Sequence, residues 1–136
     1  MTAARRPVPP RRPAPSRRRP EIAPPPIERR DARGIAAGLL VFAGGLAVAG
    51  VLTLTGLAGT PAWSIAFAVG LLAIGVVGLY QRRTVSPVPR PAIWTPAYLS
   101  DVAVPLGLPV RGFTVAFYAL LAVGVVGNLL VPLVGR

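Results

Sequence analysis

Three long uncharged segments stand out in the pattern of hydrophobic and polar positions. They cover residues 34–59, 62–80 and 113–134, and none of them contains Asp, Glu, Lys, Arg or His. At a rise of about 1.5 Å per residue, a helix formed by each segment can cross a hydrocarbon layer of roughly 30 Å. The pattern therefore predicts an all-α integral membrane protein with three transmembrane helices.

The first two segments are separated only by Thr60 and Pro61. Thr is a favoured N-cap and Pro is favoured at the first helical position, so this pair predicts the start of a second helix. Because the connection is too short to hold a domain, residues 34–80 are expected to form a tight helical hairpin. Trp63 and Tyr80 lie at the ends of the second segment, where amphipathic rings anchor a helix at the membrane–water interface.

The first 33 residues have the opposite character, with ten arginines and nine prolines among them. The few apolar residues present do not offset the entropy that ordering would cost. We therefore expect residues 1–33, here called the basic tail, to be disordered, with a preference for the polyproline II conformation.

Residues 81–112 are predicted to be a proline-rich loop before the third segment. Its central part is too apolar for an ordinary water-exposed loop, yet its prolines recur too often for a spanning helix. We expect this loop to lie on the membrane surface or to pack on a partner. Trp94 and Tyr98 are its predicted interface anchors.

Arginine placement predicts the orientation of the chain. The basic tail and the 81–112 loop both carry arginines, whereas the turn at Thr60 and Pro61 carries none. The positive-inside rule then places the N-terminus and the loop in the cytoplasm, and the C-terminus outside. Arginine without lysine, together with abundant Ala, Gly and Pro, is typical of a GC-rich genome, so we expect a multi-pass protein of a bacterial inner membrane.

The composition offers little for chemistry, because Cys and His are both absent. Soft-metal sites, thiol nucleophiles and imidazole bases are excluded. Asp101 is the only acid beyond the basic tail, and one carboxylate makes no catalytic pair. We expect a protein that is not an enzyme and that needs no cofactor.

Small residues in the first segment recur on one side of the predicted helix. Counting about 100° per residue places them within roughly 60° of one another, which favours close helix packing in lipid. A leucine at Gly45 should therefore disturb packing more than a leucine at Gly50, which points about 140° away. The residues of this small-residue stripe are Gly34, Gly38, Gly45, Ala49 and Gly56.

The second segment has small residues on two opposite sides, so we expect the second helix to be sandwiched between the first helix and either the third helix or a foreign one. The stretches 71–79 and 120–128 are nearly identical, either as an internal repeat or by convergence within a small alphabet. The two sides consist of Ala66, Gly70 and Ala73, and of Ala68, Gly75 and Gly78.

Asn128 is the most notable polar residue of the three segments, because an amide in hydrocarbon requires a partner. We interpret it as an interhelical hydrogen-bonding residue that fixes the register of packing. A contact with a substrate and an amide satisfied near the outer headgroups are the alternatives.

Paired arginines in the basic tail recur every six residues, which is two turns of polyproline II, so the pairs would share one edge. Anionic lipid and an acidic partner surface are the expected ligands; nucleic acid is not expected, because no aromatic residue is present to stack on bases. A ligand for proline-binding domains and a pure topology signal remain alternatives. The arginines concerned are Arg5, Arg6, Arg11, Arg12, Arg17, Arg18 and Arg19.

These features predict association rather than catalysis. We expect an accessory subunit or assembly factor of a larger membrane complex, with membrane lipids and other integral membrane subunits as partners. The alternative is a homo-oligomer that permeabilises the membrane, as a holin does, or that forms a channel.

Overall fold

The computed structural model describes residues 3–12 and 24–134, and this part of the chain is helical without any strand. Three of its helices are long and apolar enough to cross a membrane, which confirms the predicted all-helical fold with three such helices. A fourth, shorter helix precedes the last long one. The helices are α1 (Arg29–Leu54), α2 (Pro61–Arg83), α3 (Pro96–Leu106) and α4 (Val110–Val134).

Helix α1 is shifted towards the N-terminus relative to the predicted segment. It begins at Arg29, since arginine is a good helix former and Asp31 in the first turn complements the helix dipole. It ends at Leu54, because Gly56 adopts a positive φ of 79° that glycine takes without steric cost. Gly56 therefore lies in the turn after α1, and its assignment to the small-residue stripe was wrong.

Helix α2 begins where the sequence predicts. The backbone N–H of Trp63 donates to the hydroxyl of Thr60, and Pro61 is the first helical residue. The helix continues to Arg83, three residues past the predicted end. Arg82 and Arg83 in its last turn complement the negative end of the helix dipole.

Helix α1 is the central helix of the bundle, which differs from the expectation for α2. It packs along both α2 and α4, whereas α2 and α4 make no contact with each other in the described part of the chain. The reason is that α1 has two close-packing faces, one around Gly45 and one around Gly50, that point about 140° apart. Within the described residues α1 is therefore the sandwiched helix, and α2 packs on α1 alone, so only the expectation that α2 meets the third helix was wrong.

Helix α3 lies within the stretch predicted to be an irregular loop. Thr95 caps it and Pro96 is its first residue, a position that proline tolerates, while Pro105 falls in its last turn and Gly107 ends it at a positive φ of 67°. The helix packs against α1 and α4 of its own chain. Its inward face is buried in the main core and consists of Tyr98, Leu99, Val102 and Ala103.

The last residues of the basic tail are ordered, contrary to the expectation of disorder. Ile27 is buried in the same core as α3. The guanidinium of Arg90 donates through Nη2 to the carbonyl oxygen of Pro25 and through Nε to that of Thr84, at 3.0 Å for the latter. The buried side chain of Ile27 and the charge-assisted hydrogen bond from Arg90 to Pro25 thus hold the tail to the bundle just before α1.

Candidate helix-packing sites and arginine surface

The small-residue stripe of α1 faces α2. A Cβ added to Gly45 would lie 2.7 Å from the carbonyl oxygen of Ala66 and 3.0 Å from Cα of Gly70, so the two backbones touch at this level. Nearer the start of α1, Gly38 lies under Val77 and Ala73, and Gly34 lies under the ring of Tyr80. Ala49 is fully buried. Three predicted stripe glycines therefore lie against α2; of the four residues, Gly38 and Ala49 are buried, whereas Gly34 and Gly45 are half-buried.

A second glycine face joins α1 to α4, and the sequence analysis missed it. A Cβ on Gly127 would lie 2.6 Å from Cα of Gly50, and one on Gly124 would lie 2.8 Å from the backbone of Leu46. Gly50 is buried between the helices. The choice of Gly50→Leu as the milder substitution, to be compared with Gly45→Leu, was therefore mistaken. The sequence feature that indicates this contact is Gly-Val-Val-Gly in the near-repeat 120–128. The sequence analysis based no packing prediction on it.

The corresponding glycines of the other near-repeat are open. Gly75 and Gly78 occupy the positions of Gly124 and Gly127 in the same Gly-Val-Val-Gly sequence. A Cβ at either position would meet no atom within 4 Å among the described residues. The predicted second small face of α2 therefore exists but has no partner helix within this part of the chain.

A polar network links the three long helices at the end where α1 turns into α2. Nε1 of Trp63 donates to the hydroxyl of Thr53 at 3.0 Å. That hydroxyl lies 2.9 Å from the carbonyl oxygen of Ala49 and 3.2 Å from Oδ1 of Asn128, and its single proton serves one of these acceptors at a time. The chain of contacts thus runs from α2 through α1 to α4.

The amide of Asn128 also binds backbone on two helices. Its Nδ2 donates to the carbonyl oxygen of Gly124 at 2.8 Å and to that of Leu46 at 3.3 Å. Both amide protons are thereby engaged within the bundle, and the amide oxygen shares the Thr53 proton with the carbonyl oxygen of Ala49. In this geometry the amide of Asn128 bridges α4 and α1, and both of its N–H groups donate to backbone carbonyl oxygens.

The four predicted interface aromatics lie in different environments. Trp63 is half-buried and stacks on Phe67 with ring centroids 5.4 Å apart. Tyr80 is half-buried over Gly34, and Cζ of Arg83 lies 5.5 Å from its ring centroid. Trp94 is 70% exposed.

Tyr98 differs from the expectation, because it is completely buried on the inward face of α3 and does not present its ring to the surroundings. Its hydroxyl has no hydrogen-bond partner among the described residues. Burial raises the pKa of this hydroxyl above its ordinary value; Arg90 opposes the shift and Asp101 adds to it.

The arginines fall into an exposed tail and a folded set. Arg5, Arg6, Arg11 and Arg12 are exposed in an irregular segment. Arg17, Arg18 and Arg19 lie outside the described residues. The folded set lies at the start of α1, the end of α2 and the start of α4, and its exposed members are Arg29, Arg30, Arg33, Arg82, Arg83 and Arg111.

The end of the bundle that carries α3 thus holds the folded arginines, and the end that carries the α1–α2 turn holds the polar network. Between residues 24 and 134 and in residues 3–12, no group of three or more His, Cys, Asp or Glu side chains is arranged to hold a metal ion. Comparisons with protein-family models, curated proteins and solved structures give no match to this chain.

Proposed function

We propose that this chain is a small non-catalytic protein of a bacterial inner membrane that serves as an accessory subunit or assembly factor of a larger membrane complex. The observation that carries the proposal is the outer face of α2, which none of the described residues covers. Both glycine faces of α1 are filled from within the chain, by α2 and α4, whereas Gly75 and Gly78 of α2 are open.

The outer face of α2 has the properties of a helix-docking surface. In lipid, small residues let helix backbones approach each other, and packing then drives association. The same Gly-Val-Val-Gly sequence in α4 makes backbone contact with Leu46 and Gly50 of α1. Leu72 and Leu79, which flank the α2 glycines, are 71% and 63% exposed, so a partner helix would cover both the glycines and these side chains.

The arginines support an orientation with the N-terminus in the cytoplasm and the C-terminus outside. The folded arginines lie at one end of the bundle, while the turn between α1 and α2 has no charged residue. Cytoplasmic segments carry the excess of arginine in membrane proteins. The basic tail then lies beside the cytoplasmic leaflet, where its exposed arginines contact anionic lipid or an acidic surface of the partner complex.

Affinity purification after gentle detergent extraction tests this proposal. Full-length tagged protein should co-purify with defined foreign membrane subunits that mass spectrometry identifies. Replacing both open glycines, Gly75→Leu with Gly78→Leu, should abolish the co-purification, because two leucines would hold the partner backbone away. Ala122→Leu, at an exposed position of α4, is the matched control and should retain the partner.

Two results would contradict the accessory-subunit proposal. One is a purified homo-oligomer with no foreign subunit, whose overexpression makes cells leak; this outcome favours the holin-like or channel-forming alternative. The other is a foreign partner that is retained equally by the double leucine variant and by the control, which would show that the outer face of α2 is not the docking surface.

A further inference from the structure

An open apolar groove runs between α1 and α2 on one side of the bundle. It has a volume of about 320 Å³ and is lined by residues of both helices. A Cβ added to Gly44, one of its lining residues, would meet none of the described atoms within 4 Å. The lining residues of this α1–α2 groove are Val41, Gly44, Gly45, Val48, Ala66 and Val69.

Arginines lie on the same side of both helices as the groove. Counting about 100° per residue along α1 places Arg30, Arg33 and Ala37 within roughly 80° of the lining residues Val41, Gly44 and Val48. The same counting along α2 places Val76, Tyr80 and Arg83 within roughly 60° of Val69. All three arginines are exposed, and Arg83 is held over the ring of Tyr80.

The distance along α1 matches one leaflet of a bilayer. Eleven residues separate Arg33 from Gly44, which corresponds to about 16 Å at 1.5 Å per residue. Half of a hydrocarbon core of roughly 30 Å is nearly the same length. With the arginines at the level of the phosphates, the part of the α1–α2 groove at Val41 and Gly44 therefore lies beside the acyl chains of the same leaflet. The groove continues past the centre of the bilayer to Val48, about 22 Å from Arg33 at 1.5 Å per residue.

The acids at this end of the bundle point elsewhere. Relative to Gly34, Asp31 lies about 60° and Glu28 about 120° towards the opposite side of α1 from Arg30 and Arg33. Asp31 is also buried. Arg83 borders a cavity that both acids line, so the unopposed positive charge beside the groove belongs chiefly to Arg30 and Arg33.

We propose that the α1–α2 groove binds one anionic phospholipid of the cytoplasmic leaflet. Arg30 and Arg33 contact the phosphate, Arg83 approaches it from α2, and an acyl chain lies over Gly44. This site is separate from the basic tail and from the glycine face of α2, and it rests on the proposed insertion and orientation of the chain. Its ligand is recognised by negative charge and by an acyl chain together.

Native mass spectrometry of the purified full-length protein tests the proposal. The probes are phosphatidylglycerol and phosphatidylcholine with identical acyl chains. Since each arginine near an anionic headgroup contributes about fivefold to binding, the two arginines of α1 should give a preference of roughly 25-fold for phosphatidylglycerol. Arg30→Gln combined with Arg33→Gln should remove that preference. Arg111→Gln, an exposed arginine at the start of α4, should leave it unchanged.

A separate variant and a soluble competitor test whether the acyl chain contributes to binding in the groove. Gly44→Leu fills the groove and should weaken binding of both lipids, while helicity is retained because the added side chain meets open space. Soluble glycerol phosphate should fail to displace the lipid. Equal binding of the two lipids, full preference in the double Gln variant, or displacement by glycerol phosphate would overturn the site. The purified chain needs no foreign subunit here, so these results stand apart from the co-purification test.

Discussion

At the scale of single residues, the bundle contains one polar side chain whose N–H groups are both hydrogen-bonded and one buried hydroxyl that has no hydrogen bond among the described residues. Asn128 contributes both amide protons and its oxygen to contacts with α1 and its own helix. The hydroxyl of Tyr98 is buried and has no hydrogen-bond partner in residues 3–12 and 24–134. The two residues should therefore respond in opposite ways to removal of their polar atoms.

Asn128→Leu should destabilise the folded protein in detergent by about 1 kcal/mol, because interhelical hydrogen bonds in membrane proteins contribute about that much. Leucine keeps the approximate shape and removes the donors to Leu46 and Gly124. Thermal unfolding followed by circular dichroism measures the change. Thr114→Val, which alters a half-buried hydroxyl of α4 elsewhere, is the control, and an equal loss in both variants would argue against a specific role for the amide.

Tyr98→Phe should leave stability near neutral pH unchanged or slightly raised, because it removes a buried hydroxyl that has no partner. The pKa of Tyr98 is raised by burial, so the folded state holds its proton more tightly than the unfolded state. Stability from this group is therefore complete below the unfolded pKa of about 10 and is lost as the pH rises above it. Unfolding curves should be measured from about pH 8 to about pH 11, which is roughly one unit above the unfolded pKa. With rising pH, the free energy of unfolding should fall more steeply in the wild type than in Tyr98→Phe. Identical declines would refute the assignment.

At the scale of helices, one short sequence is used in two ways. The two glycines of Gly-Val-Val-Gly in α4 lie against the backbone of α1. In the same sequence of α2, Val77 packs on α1, whereas Gly75 and Gly78 meet none of the described residues within 4 Å. Identical local propensities therefore have different tertiary consequences. This pair of segments provides an internal comparison for the effect of packing on a glycine.

Gly127→Ala should destabilise the protein, because its Cβ would lie 2.6 Å from Cα of Gly50 and would force α1 and α4 apart. Gly78→Ala should be neutral or stabilising by up to about 1 kcal/mol, since alanine is the better helix former and nothing lies within 4 Å. Thermal unfolding of the two variants side by side gives the sign of each effect. If Gly78→Ala proved the more harmful of the two in the isolated protein, the α1–α4 contact would be in doubt.

The long helices and the Thr60 cap were predictable because they depend on local features, namely length, charge and capping residues. The packing order was not, since helical periodicity identifies a small-residue face without naming its neighbour. Gly50 was missed because a single stripe on α1 was assumed. Helix α3 was missed because the prolines were weighed only against a spanning helix and a short one was not considered. Proline is tolerated in a first turn, where Pro96 lies, and Pro105 falls only in the last turn.

At the scale of the whole molecule, the two ends of the bundle differ in charge. Arginines occupy the end with α3, and uncharged residues form the turn between α1 and α2. Positive-inside orientation follows from this asymmetry if the bundle spans a membrane. Both the orientation and the role of the basic tail can be measured in the intact protein.

Single cysteines introduced at Thr60 and at Ser86 should react with an impermeant maleimide from opposite sides of the membrane. Thr60 lies in the turn before α2, and Ser86 lies just beyond its C-terminal end. Because the chain has no cysteine of its own, each label reports one position. Labelling of both from one side would refute a membrane-spanning α2.

Deletion of residues 2–20 should leave insertion and orientation intact and weaken a peripheral electrostatic contact. Arg29, Arg30 and Arg33 remain at the start of α1, and the hydrogen bond from Arg90 to the carbonyl oxygen of Pro25 is untouched. Vesicle sedimentation or partner pull-down should show a contact that fades above roughly 0.15 M salt, where the screening length is about 8 Å. Changing the paired arginines of residues 5–18 to Gln should reproduce the deletion. An inverted orientation would show that these arginines act on topology alone.

The central position of α1 also has a consequence for the order of events during synthesis. The α1–α2 hairpin is complete when Arg83 has been made, but about 50 further residues are needed before α4 ends. At translation rates of about 5–20 residues per second, this interval lasts roughly 3 to 10 s. During this interval, α4 does not yet cover Leu46 and Gly50 of α1. This face of the nascent chain is therefore accessible to other helices. The face of α1 that binds α4 therefore stays uncovered until the last helix has been made. A pause in translation after α2 would lengthen that exposure.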